Sequence, residues 1–153
     1  MNKSIDTIVA TRKMFLQLME NLSVDALNKV PEGFNNNIIW NFGHLIVTQQ
    51  ILCYKFSALP LHIDGAYVAR YLKGTKPEKF IDEQEIAFLK KRALCLIDEL
   101  NTDLQKDIFK SFNSYTTSFG VALNSIEDSV QFVNMHDGLH LGYAMALKKV
   151  INN

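Results

Sequence analysis

Apolar positions recur with helical spacing along most of this chain, in four long stretches separated by polar or irregular segments. From Asn2 to Leu22 they are Ile5, Ile8, Val9, Phe15, Leu16, Met19 and Leu22. This is the i, i+3, i+4 stripe of an amphipathic helix. Ser23 to Phe34, with Pro31 and Gly33, predicts a connection containing a short helical turn. Asn35, Asn36 and Asn37 are candidate N-caps for a second helix that runs to about Ser57. That helix is apolar around much of its circumference, as a central bundle helix would be.

Pro60 ends the region, and Ile63 to Leu72 predicts a short extra helix closed by Gly74. Asp82 and Glu85 form a D-x-x-E start signal for a third long helix. It should reach about Leu100, with Ile86, Leu89, Ala93, Leu96, Ile97 and Leu100 turned inward. Asn101 to Asn124 has no helical period; Phe109, Phe112, Tyr115 and Phe119 alternate loosely with polar residues. Short extended pieces turning at Asn113-Ser114 are expected there. A connection of this length is uncommon in a compact domain and is often functional. Ser125, Glu127 and Asp128 open the last helix, which ends near Ile151 with Lys148 and Lys149 in its last turn. The expectation is an all-α four-helix bundle, a single domain over residues 1–153, with a short extra helix and a long connection before the last helix.

Composition narrows the function. Hydrophobic residues are 48% of the 153, enough for one sizeable core. Lys+Arg and Asp+Glu are 16 each, so the net charge is zero. A neutral chain without basic clusters argues against nucleic acid or an anionic membrane as the main partner. The start, MNKSIDTIVATRK, lacks the apolar run of a signal peptide. Cys53 and Cys95 match no C-x-x-C spacing and read as reduced thiols of a cytoplasmic protein.

The last helix carries His136-Asp137-Gly138-Leu139-His140. Residues four apart lie about 40° apart around a helix, so both imidazoles project on one face. Ser129, Phe132, Val133, Leu139, Tyr143, Leu147 and Val150 share that side and predict that it faces the bundle interior. Gln131, Asn134, Gly138, Met145 and Lys149 lie opposite. Burying two imidazoles among apolar neighbours is costly unless their nitrogens find partners, and a metal ion would satisfy both. His44 is the natural third ligand, because His62, the one other histidine, lies in a Pro-flanked connection expected at the surface. Asn41 and Thr48 share His44's face and could orient its ring. Cys53 lies on the opposite face of that helix. Three histidines with open positions resemble catalytic metal sites more than closed structural ones. Such ligands suit Zn, Ni, Fe or Co. The plainer reading is that each is a hydrogen-bonded core histidine.

Arg12 interrupts the first stripe between Ile8 and Phe15. It either snorkels or pairs with a carboxylate near the bundle edge, or it lines the metal cavity and holds an anionic substrate group. Tyr143, one turn after His140, is a core residue or a proton donor near the metal. Trp40 and Tyr115 carry the same two readings.

Asn41-Phe42-Gly43-His44-Leu45 and His136-Asp137-Gly138-Leu139-His140-Leu141-Gly142, with Tyr115-Thr116-Thr117-Ser118-Phe119-Gly120 between them, resemble the DinB-like (DinB/YfiT-like) family. The resemblance spans residues 30 to 150 or so. It implies an up-down-down-up four-helix bundle in which His44, His136 and His140 bind a divalent metal, Zn or Ni foremost, with Fe, Co or Mn also compatible. Some relatives use a low-molecular-weight thiol as co-substrate. Asp137 stands where that family often has Glu, and Tyr143 departs from a frequent Gln.

Three functions follow as alternatives. The first is a metal-dependent transferase or hydrolase that activates a thiol or water for a small-molecule substrate. The second is a non-catalytic metal-binding or stress-related binding protein. The third is a metal-free helical interaction module. A cavity of a few hundred cubic ångströms opening onto the histidines would separate the first from the second. A homodimer is expected only from the general frequency of symmetric dimers.

Overall fold

The computed structural model describes residues 2–152, and its long elements are helices. Helix α1 is Asn2–Met19, α2 Val24–Asn28, α3 Ile38–Gln50, α4 Gly65–Tyr71, α5 Glu83–Gln105 and α6 Ile126–Asn152. A π-helical turn, Ile51–Lys55, continues α3, and a two-residue hairpin pairs β1 (Tyr115–Thr116) with β2 (Ala122–Leu123). Each start has a local cause. Asn37 Oδ1 accepts from Trp40 N–H at 2.8 Å, and Asp82 Oδ1 accepts from Glu85 N–H at 2.8 Å. Ser125 Oγ accepts from Asp128 N–H, while Asp128 Oδ2 accepts from Asn124 N–H. These caps satisfy amide groups that a helix start leaves without carbonyl partners.

The long helices α1, α3, α5 and α6 form the expected bundle, and α1 and α3 each pack against both α5 and α6. Their directions follow from which residues meet. Ser4 borders the same surface cleft as Glu127, Arg12 pairs with Asp137, and Lys148 donates to the Leu18 carbonyl, so α1 and α6 run parallel. Tyr54, just past α3, donates to Asp103 at the end of α5, and Tyr71, packed on Gly43, donates to Glu85 near its start; α3 and α5 are therefore parallel. Asn41 meets His140 while Leu52 and Phe132 share one cavity, which sets α3 antiparallel to α6. The result is up-down-down-up. No helix among the described residues is long and apolar enough to cross a membrane.

Several boundaries and faces differ from expectation. Helix α5 continues beyond Leu100 to Gln105 and is closed by Asp107 at φ 54°. The chain does not turn at Asn113-Ser114, because Asn113 N–H is held by the Phe56 carbonyl at 2.6 Å. It turns at Thr117–Gly120 instead, where Gly120 takes φ 75° and its N–H returns to the Thr117 carbonyl. On α6 the buried stripe is Val130, Val133, Asp137, Leu141, Ala144 and Leu147. Leu139 and Val150, expected inward, are 50% and 45% exposed. The helix is rotated so that Asp137 points into the core.

Gly43 is required by a close approach. A Cβ at that position would lie 2.5 Å from the Tyr71 ring of α4. Gly138 has nothing within 4 Å. Gly43→Ala should therefore cost about 1–3 kcal/mol through overpacking, whereas Gly138→Ala should leave stability unchanged or raise it by about 0.5–1 kcal/mol. Urea unfolding of both variants checks this; equal effects would refute the packing argument.

Candidate metal centre

Antiparallel packing of α3 on α6 brings His44 against His136 and His140. One ligand atom from each lies within 4.8 Å of the others. The ring centroids are 5.1, 4.8 and 4.5 Å apart. His44 and His136 are buried and His140 is partly exposed.

Neighbours set two of the rings. His44 Nδ1 lies 2.7 Å from the Tyr71 carbonyl at the end of α4. A carbonyl only accepts, so this Nδ1 carries the proton and Nε2 is left as a lone pair. The Trp40 indole stacks on His44 with centroids 4.7 Å apart and planes 9° from parallel. Trp40 is itself held by its N–H donating to Thr75 Oγ1. Asn41 donates its amide to Asn36 Oδ1 and the Asn37 carbonyl, which leaves its oxygen facing His140 Nδ1 at 2.7 Å. That Nδ1 is therefore the protonated nitrogen, and His140 also presents Nε2. His136 differs: its Nδ1 is buried without a hydrogen-bond partner, 3.9 Å from Asp137 Oδ1, which also has none.

Burial is the largest cause that lowers His44 to about 4 and His140 to about 3. For His44 the Tyr71 hydrogen bond opposes it; for His140 the two neighbouring imidazoles add to it. Both are neutral at pH 7. A cluster of imidazoles with two unprotonated Nε2 atoms and an orphaned buried nitrogen fits a divalent transition metal, for which neutral imidazole is a common ligand.

Beside the cluster opens a cavity of about 310 Å³. Helix α3 and the π turn contribute His44, Thr48, Ile51 and Leu52; α6 contributes Phe132, His136, Leu139 and His140. Phe56, Leu72 and Lys73 come from the connections, and the hairpin adds Tyr115, Thr117, Ser118 and Phe119. The π turn belongs to this wall. Its extra residue per turn is frequent at functional sites.

The remaining sequence candidates divide. Thr48 Oγ1 is 3.4 Å from His44 Nε2, and Tyr115 lines the cavity while stacking on Phe56. Asn41 orients His140 rather than His44. Trp40 backs His44 and does not line the cavity, and Tyr143 packs edge-on against Phe34 away from it. His62 is exposed and pairs with Glu99 at 2.7 Å. Cys53, free and buried, is pushed up to about 12 by that burial.

Arg12 neither snorkels nor lines the cavity. It is fully buried, with Nε donating to Asp137 Oδ2 at 2.9 Å. Its other nitrogens donate to the Ala93 carbonyl of α5 at 2.8 Å and the Leu45 carbonyl of α3 at 3.4 Å. Asp137 and Lys73 were the functional candidates that spacing missed. The usable signal for Asp137 was a lone anion on one apolar stripe answering a lone cation on another.

Removing one member of the pair leaves a buried charge uncompensated, so Arg12→Met or Asp137→Asn should each cost about 3–5 kcal/mol in urea unfolding. A loss below about 1 kcal/mol, the range of surface pairs, would contradict it. A pH effect follows from the histidines. Between pH 6.5 and about 4 the unfolded chain protonates His44 while the folded chain does not. Stability is thus complete above pH 6.5 and falls as pH drops through that window, by up to about 1.4 kcal/mol per pH unit for each such histidine. In the metal-free protein, a His44→Leu, His140→Leu variant should give a flatter unfolding profile between pH 6.5 and 5 than the parent; identical slopes would refute it.

A comparison with curated proteins gives no match. The family model described as the DinB superfamily matches residues 7–144, a stretch that holds α3, the hairpin and all three clustered histidines. By this match over most of its length, the chain belongs to the DinB superfamily.

Proposed function

We propose that the chain is a metal-dependent enzyme in which His44, His136 and His140 hold one divalent ion, Zn or Ni foremost among the transition metals that neutral imidazole suits. The observation that carries this reading is that the three histidines form part of the wall of an open cavity of about 310 Å³. A closed structural site would leave no such space beside its ligands. The volume lies at the low end of the range for small-molecule pockets, about 300–1,000 Å³.

When bound, such an ion supplies Lewis acidity, lowering the pKa of a thiol or water so that a nucleophile is available near neutral pH. The chain's own residues bind, orient and exclude water. Tyr71 and Trp40 hold the His44 ring, and Asn41 holds His140. Ile51, Leu52, Phe56 and Phe132 supply apolar walls, with Thr48, Thr117 and Ser118 as hydroxyl groups among them. Among the described residues no carboxylate lines the cavity, so none of them is positioned as a general base there. The reaction assigned is thiol transfer or hydrolysis on a small molecule. The free Cys53 and Cys95 support a reducing, cytoplasmic setting.

Elemental analysis and calorimetry test the reading. The protein should bind one divalent ion per chain. His140→Ala should weaken binding on the order of 100-fold or more, and Asn41→Ala, which frees the ring without removing the ligand, about 10- to 100-fold. No uptake at micromolar metal would refute the site. Conjugation of small thiols or ester hydrolysis persisting in metal-free His140→Ala would refute the catalytic role.

A further inference from the structure

The cavity carries a second chemical signature besides its histidines. Among the described residues no carboxylate lines the cavity, and Lys73 is the one lysine or arginine in the lining. Lys73 takes part in no ion pair among the described residues. It follows Leu72, the C-cap of α4, and the Tyr71 carbonyl that meets His44 Nδ1 comes from the same short segment. Apart from Lys73, the histidines and the hydroxyl groups of Thr48, Tyr115, Thr117 and Ser118, the rest of the lining is apolar. Three large apolar side chains from separate elements are exposed where they line this cavity: Leu72 at 40%, Phe119 at 57% and Leu139 at 50%. Single exposed apolar residues are ordinary, but a group around one opening marks a ligand site.

We propose that this cavity selects a small ligand with an apolar, ring-sized body and one anionic group, the anion meeting Lys73. The proposal rests on the reading of the cavity as the substrate site and adds the class of substrate. A purely polar substrate would leave Phe119, Leu72 and Leu139 facing water, and a cationic one would face Lys73. A carboxylate on an aromatic or branched aliphatic body satisfies both features. Lys73 is exposed, so its contribution is that of a solvent-screened pair.

The test uses the full chain, metal-stripped and metal-loaded, with metal content read separately by elemental analysis. The probes are 3-phenylpropanoate and its uncharged amide, titrated by NMR. In the metal-stripped chain the acid should bind about three- to fivefold tighter than the amide. Lys73→Met should bring that ratio close to one, and Lys73→Glu should invert it. Phe119→Ser, at the exposed hairpin tip, should weaken acid and amide alike and keep their ratio. Equal binding of acid and amide by the parent, or an unchanged ratio in Lys73→Met, would overturn the proposal; so would no binding of either probe. A chain that takes up no metal but keeps the Lys73-dependent ratio would refute the metal reading and leave the ligand class standing. A metal-loaded chain without that ratio would do the reverse.

Discussion

The buried guanidinium of Arg12 is the contact on which the bundle's geometry depends. It starts on α1 and reaches a carbonyl of α3, a carbonyl of α5 and a carboxylate of α6, so one side chain touches all four long helices. It also sits where the apolar core divides. Ile8, Val133 and Leu52 belong to one cluster, while Phe15, Leu141 and Leu45 belong to the other. Arg12 and Asp137 fall between these sets on their own helices, and Gln49 and Gln50 fall between them on α3. The bundle is therefore two hydrophobic clusters joined through a polar layer. A buried pair of this kind is no sure gain in stability over well-packed hydrophobic residues. Its geometric effect is clearer: Asp137 can meet Arg12 only in one rotation of α6, and that rotation aims His136 and His140 at α3.

The histidines inherit their precision from groups that are not histidines. Two of the three have a protonated Nδ1 assigned by an oxygen that cannot donate in that position, one a backbone carbonyl and one a side-chain amide oriented by two acceptors of its own. Burial keeps these rings neutral. Hydrogen bonding chooses which nitrogen is left bare. Both conditions are needed for a metal ligand, since a protonated imidazole has no lone pair to give.

Much of this was legible in the sequence, and the parts that were not have physical reasons. The helices announce themselves through period and caps, because Asn37, Asp82 and Ser125 act locally. The pairing of His136 with His140 follows from helix geometry alone. The inward face of α6 departs from its hydrophobic pattern because a charge can be buried where a partner such as Arg12 meets it. Asp137 is polar and fully buried, whereas Leu139 is apolar and half exposed at the cavity mouth. The path of the chain through Asn113 and the docking of α4 depend on contacts distant in sequence, with the Phe56 carbonyl and with Gly43. No local propensity encodes those.

Helix α4 shows how the parts are joined. It has seven residues, too few to be stable alone, so its position is set by docking. Docking is possible because Gly43 has no Cβ to meet the Tyr71 ring. The Tyr71 hydroxyl donates to Glu85 of α5, which also pairs with Arg70, and this fixes the helix from its other side. Once docked, α4 delivers the carbonyl that sets His44 and places Leu72 and Lys73 on the cavity wall. The glycine one residue before His44 thus acts on the imidazole through a neighbouring helix. That accounts for Gly43 beside His44 without assigning the glycine any chemistry of its own.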